Sequence, residues 1–124
     1  MAKLVGSFAA SHAPNIARSW DVMEDDTRHW LSTRYAELGK RVKALEPDVL
    51  VIHSNDHWIN FFLENMPAFL VGVGEEHDGP PEPFMQPIFN GCSFPGHRAL
   101  GSHILEFAMD ADFDPAYSHR IKVD

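Results

Sequence analysis

The sequence is poor in cysteine and has no long apolar run. Cys92 is its single cysteine, which cannot form an internal disulfide, so a reducing compartment is expected. The N-terminal residues 1–6 carry too little apolar character for a secretory signal. No apolar run approaches the roughly 18 residues that a transmembrane helix requires. These features predict a cytoplasmic protein that does not use a membrane.

Basic residues are also scarce. Ten Lys and Arg residues face 18 Asp and Glu residues, which gives a formal net charge of −8. No cluster of basic residues interrupts this acidic balance, so nucleic acid and anionic membranes are disfavoured as partners. The length of 124 residues and the hydrophobic content of 44% fit one globular domain.

Apolar runs separated by periodic stretches predict an α/β fold with a mainly parallel or mixed sheet and flanking helices. The runs at 4–10, 48–54 and 69–74 are predicted strands, and 113–123 is a weaker one. One predicted helix carries an apolar face formed by Leu31, Tyr35, Leu38, Val42 and Leu45, and a second spans about 97–109. Five prolines between residues 75 and 96 predict a long irregular excursion.

The last residues, 121–124, have no helix cap, polar tail or turn composition. We therefore expect a chain that is truncated at its C-terminus. Such a cut exposes sheet edges and core surface, which favours a homo-oligomer or a complementary chain.

Two histidines follow predicted strands. His12 comes after the first strand and His57 after the second, 45 residues later, as a strand–helix–strand crossover would place them. Sites in open α/β sheets form beyond the carboxyl ends of strands, so both imidazoles are candidate ligands of one metal ion. Two imidazoles leave a site incomplete. An added carboxylate would make the facial triad of Fe(II) oxygenases, and it would also suit zinc.

The residues around His57 allow more than one interpretation. Asn55 and Asp56 are candidates for orienting the imidazole of His57, and this role is favoured over a ligand role for Asp56 because the side chains of successive residues diverge in most backbone conformations. They also suit a simple turn or helix cap. A lone histidine at a strand end is more often a hydrogen-bonded loop residue than a ligand. The remaining assignments are a core or an aromatic substrate pocket for Trp58, Phe61 and Phe62, and surface or cap positions for His29, His77 and His97.

Several segments together resemble a known family, the class III extradiol ring-cleavage dioxygenases, which include the catalytic β subunit of protocatechuate 4,5-dioxygenase. The resemblance rests on the segment Ser11-His12-Ala13-Pro14, on Pro47-Asp48-Val49 leading into Asn55-Asp56-His57, and on Gly96-His97 followed by His103-Ile104. These segments occur in the family's order across nearly the whole chain.

The resemblance implies that His12 and His57 are ligands of a non-haem Fe(II), and that the substrates are O2 and a catechol or protocatechuate-like acid. The whole chain, 1–124, would be the N-terminal part of a single catalytic domain. Family members are longer, and their glutamate ligand and acid/base histidine lie in a portion that would follow Asp124. We therefore expect little or no ring cleavage by this chain alone. The alternatives are a zinc-dependent hydrolase on the same scaffold and a non-catalytic binding protein that retains the fold.

Overall fold

The computed structural model describes residues 2–85 and 91–123. The chain divides into two compact units, Met1–Ile52 and His53–Asp124. The described residues include no helix that is long and apolar enough to cross a membrane.

The first unit is helical. Helix α1 spans Pro14–Arg18 and begins with proline in its first turn, where the missing N–H costs no hydrogen bond. A short 3-10 helix, Trp20–Val22, follows. Helix α2 spans Asp25–Ala44, with acidic residues in its first turn and Arg41 and Lys43 in its last turn, which matches the helix dipole at both ends.

Helix α2 confirms the predicted helix, although its apolar face is not buried. It ends at Ala44, before Pro47, and Glu46 then takes a positive φ of 45°. Its apolar face is only partly covered: Leu31, Leu38 and Val42 are half-buried, and no residue of the helix is buried. The apolar period therefore set the helix but did not secure a core around it.

The predicted strands at 4–10 and 48–54 are wrong. Residues 2–69 are all described, and no strand lies among them. Leu4 is 84% exposed and Ile52 is 73% exposed. A β-prone run becomes a strand only when a neighbour receives its backbone hydrogen bonds and covers its side chains. Neither condition is met in these two runs.

The second unit contains the strands. Strand β1, Leu70–Gly72, pairs in parallel with β4, Ala116–Ser118, and Leu70 lies opposite Ala116. Two further backbone bonds extend the pair, from Ala116 N to Phe69 O at 3.0 Å and from Val73 N to Ser118 O at 2.8 Å. The predicted strands at 69–74 and 113–123 are thus confirmed in shortened form.

Helix α3, Arg98–Asp110, lies between these strands along the chain and contacts β1. Gly101 is buried at the contact, and a Cβ there would sit 2.6 Å from the carbonyl oxygen of Gly72. Glycine therefore lets the helix approach the strand backbone. A parallel pair joined through a helix is α/β architecture, which confirms the predicted fold class.

The segment 75–96 is less irregular than predicted. Strand β2, Glu76–Asp78, pairs antiparallel with β3, Ser93–Pro95. The sequence did not predict this pair, because β3 ends in a proline and both strands are short. Residues 86–90 of the excursion lie outside the described residues. Val73, 3% exposed, is the one hydrophobic side chain that is buried within the described part of the chain.

Candidate metal centre

His12 lies in an exposed segment just before α1. The hydroxyl of Tyr35 on α2 donates a hydrogen bond to the carbonyl oxygen of Ser11, and Ala13 N donates to Ser11 Oγ at 3.4 Å. Ile16 N of α1 also donates to Ala13 O at 2.9 Å, so the backbone on both sides of His12 is held within the first unit. Its predicted place at the end of a strand does not hold, because that strand is absent from the fully described residues 2–12.

His57 is half-buried and opens an irregular loop of the second unit. The next residue, Trp58, has a positive φ of 64°, a conformation that is uncommon for a bulky side chain and costs about 1 kcal/mol or more. Such a conformation persists only where surrounding contacts hold it. The contacts come from the side chain before His57.

Asp56 holds this loop with both oxygens of its carboxylate. Oδ2 accepts hydrogen bonds from Ile59 N and Phe61 N, each at 3.1 Å, and Oδ1 accepts from Asn60 N at 2.9 Å and Asn60 Nδ2 at 2.8 Å. Partial burial raises the pKa of Asp56, but hydrogen bonds from Asn60, Phe61 and Ile59 outweigh it and leave the pKa below its ordinary value. Asp56 is therefore a charged cap on the loop that carries His57.

Asn60 connects the same loop to residues near the end of the chain. Its Nδ2 donates to Lys122 O at 2.8 Å, and its Oδ1 accepts from Lys122 N at 2.9 Å. The amide thus pairs with both backbone groups of one residue, as a neighbouring strand would. The segment around Lys122 is itself fixed to β2, because Asp78 N donates to Ile121 O and Val123 N donates to Asp78 O, both at 2.9 Å.

His77 was predicted to be a surface or cap residue, and that prediction is wrong. Its side chain on β2 is buried, with 9% exposure, and Ile121 N donates to its Nδ1 at 3.3 Å. A Cβ on Gly74 would lie 3.1 Å from its Cε1, and one on Gly96 would lie 3.0 Å from its Nε2. The ring occupies space that these glycines leave open. The nearby glycines were the sequence signal that could have identified it.

The remaining predicted positions divide between loop and cap. Asn55 is exposed, and its carbonyl oxygen accepts from Ser54 Oγ at 3.3 Å. Trp58 is 56% exposed and Phe62 is 54% exposed, so neither is a core residue. His97 caps α3, since its Nδ1 accepts from Leu100 N at 3.1 Å, which confirms the cap prediction.

The two predicted ligands belong to different units, His12 to the first and His57 to the second. Neutral imidazole is a donor that suits both Fe(II) and zinc. Among residues 2–85 and 91–123, no group of three His, Cys, Asp or Glu side chains is gathered as a metal site. The two imidazoles are suitable donors for such a metal, but two donors are fewer than the site requires. The assignment of His12 and His57 as ligands therefore stays a prediction.

Comparison with known proteins identifies the family to which the chain is similar. The family model described as the catalytic LigB subunit of aromatic ring-opening dioxygenase matches residues 6–124. That range contains every predicted site residue. No solved structure gives a significant match.

Curated relatives carry a consistent name. A 2,3-dihydroxyphenylpropionate/2,3-dihydroxicinnamic acid 1,2-dioxygenase of Cupriavidus necator is 33% identical over 84 residues, which cover 68% of this chain and 25% of the relative. A protein of the same name from Photorhabdus laumondii is 30% identical over 90 residues, covering 73% of this chain and 26% of the relative. The chain thus spans about a quarter of the length of the relatives it matches.

Proposed function

The chain belongs to the class III extradiol dioxygenase family of the catalytic LigB subunit, and on that premise we propose that it contributes to opening the ring of a catechol with O2. The observation that carries this proposal is the family match over residues 6–124. The names of these relatives specify dihydroxylated aromatic acids, which supports a catecholic acid as the substrate class. A cytoplasmic location remains part of the proposal.

In this proposal His12 and His57 are two ligands of a non-haem Fe(II). Asn55 and Asp56 support His57 from behind. The third ligand, a carboxylate, and the histidine that acts as acid and base come from residues outside these 124. Residues 1–124 then form the N-terminal part of one catalytic domain.

The bound metal would supply adjacent positions for the two substrates and Lewis acidity. The chain's own contribution is to present imidazoles in a fixed orientation. For His57 the supporting observations are its half-burial and the four hydrogen bonds that Asp56 accepts from the loop. For His12 they are the anchored neighbours Ser11 and Ala13. Holding ligands in advance of binding lowers the cost of assembling a site.

Metal binding by the full chain tests the ligand assignment. Fe(II) added without oxygen is expected to bind weakly, and H12A or H57A should each raise the half-saturating Fe(II) concentration by about tenfold or more, because each removes one donor. His29, an exposed histidine of α2, provides the control H29A. Equal Fe(II) binding by H57A, H29A and the unaltered chain would contradict the assignment of His57.

Activity tests the completeness of the site. After anaerobic loading with Fe(II), addition of a catechol and air should yield little or no yellow ring-opened product from this chain alone. Abundant product would show that these 124 residues contain all the working groups. Oxygen consumption together with metal analysis separates an iron oxygenase from a zinc hydrolase, because hydrolysis requires no oxygen.

We further propose that the chain associates with copies of itself or with a complementary chain. Val51 is 72% exposed and Ile52 is 73% exposed, and an uncovered β-prone run favours association. Size-exclusion chromatography over a range of concentrations should reveal species larger than 14.0 kDa. A monomer at every concentration would contradict this part of the proposal.

A further inference from the structure

We propose that Asn60 is the positioning residue that fixes the loop of His57 to the segment 120–123. The inference rests on the proposed role of His57 as a ligand. It assigns to Asn60 a function that neither the family match nor the relatives' names supply.

The first step is the geometry of the amide. Asn60 donates to Asp56 Oδ1 at 2.8 Å and to Lys122 O at 2.8 Å, while its Oδ1 accepts from Lys122 N at 2.9 Å. Each Nδ2 hydrogen and the carbonyl oxygen therefore has a partner. A side-chain amide is needed for this, because it combines two donors with an acceptor.

The second step is the long range of the connection. Asn60 and Lys122 are 62 residues apart in the chain. The loop at 56–61 would otherwise depend on the local bonds that Asp56 accepts. Because Asn60 bonds both Asp56 and Lys122, the anchored end segment and the cap of the loop become one hydrogen-bonded network.

The third step is the rigidity of the anchor. Ile121 N donates to the buried His77, and Arg120 Nε donates to both carboxylate oxygens of Asp78 at 3.0 Å. The segment 120–123 is therefore held by β2 at several points. Through Asn60 this rigidity reaches the backbone next to His57, which restricts where its imidazole can lie.

The test compares N60L with the unaltered 124-residue chain by NMR. Without metal, hydrogen exchange of the Ile59 and Phe61 amides should accelerate about tenfold in N60L, as expected from the loss of about 1.4 kcal/mol of hydrogen bonding. The ring signals of His57 should also shift. When Fe(II) is added anaerobically, the Fe(II) concentration that gives half of the maximal broadening of those ring signals should rise about tenfold in N60L.

Matched variants distinguish positioning from general destabilisation. N65L changes an exposed asparagine of the adjoining turn and should leave the His57 signals in place. N60Q keeps the amide, so the increase in exchange and the weakening of the Fe(II) response should both be smaller than in N60L. If N60L fails to fold, N60Q provides the test: the inference then predicts faster exchange confined to residues 56–61 and shifted His57 signals. The amides of α3 serve as the internal reference.

The outcomes separate this inference from the proposed function. If His57 of the unaltered chain does not respond to Fe(II), its ligand role fails, whereas shifted His57 signals in the metal-free variant still support positioning by Asn60. Unchanged His57 signals in the metal-free variant would overturn the inference. Where His57 of the unaltered chain does respond, a loosened loop in N60L with the same half-saturating Fe(II) concentration would also overturn it, because Asn60 would then act only on the stability of the loop.

Discussion

Two apolar runs of this chain have opposite fates. Residues 49–52, Val-Leu-Val-Ile, form no strand, whereas β1 forms within residues 70–73, Leu-Val-Gly-Val. The first run has the higher β propensity, because it has no glycine. Yet Val51 is 72% exposed and Val73 is 3% exposed. Propensity therefore did not decide between them.

The difference lies in what surrounds each run. Strand β4 exchanges backbone hydrogen bonds with β1, and α3 contacts β1. Behind the same region the buried ring of His77 contacts the end segment through Ile121. The run at 49–52 is largely open to solvent. Whether an apolar run of this chain forms a strand is therefore decided by the elements that pair and pack with it rather than by the residues of the run.

The largest expected effect comes from placing the same charge in both runs. V73D should lower the free energy of unfolding by at least about 3 kcal/mol, because an unpaired carboxylate would be buried. V51D should change it by about 0.5 kcal/mol or less when the chain is dilute enough to be monomeric, since Val51 is then exposed. Urea denaturation measures both. Similar losses in the two variants would mean that the first run is covered in solution.

A smaller effect is expected at the buried histidine. H77L should cost about 2 kcal/mol, because it leaves Ile121 N without its acceptor in a part-buried site. H53L, at an exposed histidine next to the first run, is the matched control and should be nearly neutral. Thermal unfolding monitored by circular dichroism compares the two. Equal melting temperatures would show that the bond to His77 contributes nothing to the sheet region.

The next effect is pH dependent and concerns the loop of His57. The folded-state pKa of Asp56 lies below its ordinary value of 3.8, so the carboxylate stabilises the folded chain at pH above that value. The contribution is lost as the pH falls through the lower, folded-state pKa. At neutral pH, D56N should cost about 1.5 kcal/mol, because hydrogen bonds to a charged acceptor are replaced.

Unfolding free energies measured between about pH 5 and pH 2 test this sign. The unaltered chain should lose more stability than D56N over that range. The control is D48N, which removes an exposed carboxylate just before the first run and so measures the effect of losing one charge alone. Parallel curves for the unaltered chain and D56N would refute the role of Asp56.

The smallest effect is expected in the first unit, at the anchor beside His12. Y35F removes the hydrogen bond to Ser11 O and should cost about 0.5 kcal/mol, since the bond is exposed to water. Exchange of the Ala13 amide should then accelerate about twofold, while Y117F leaves it unchanged. An unaltered exchange rate of the Ala13 amide in Y35F would show that the bond from Tyr35 does not restrain the backbone beside His12.

Local patterns predicted helices α2 and α3 and part of the sheet, but not the short helix α1. The apolar period and charged ends of α2 are properties of its own sequence, so its existence could be predicted. The strands at 4–10 and 48–54 could not be rejected from sequence, because a strand needs a partner that the run itself does not specify. The short pair β2–β3 also escaped prediction, since it arises from contacts between residues that are distant in the chain.

By itself, the sequence determined the family, helices α2 and α3, and the identity of the candidate ligands His12 and His57. Only the tertiary structure decided that Asp56 caps the loop of His57 and that Asn60 ties this loop to Lys122. The physical reason is the range of the interactions. Helix period and motif spacing are encoded within short segments, whereas a hydrogen bond between residues 62 positions apart exists only after the chain has folded.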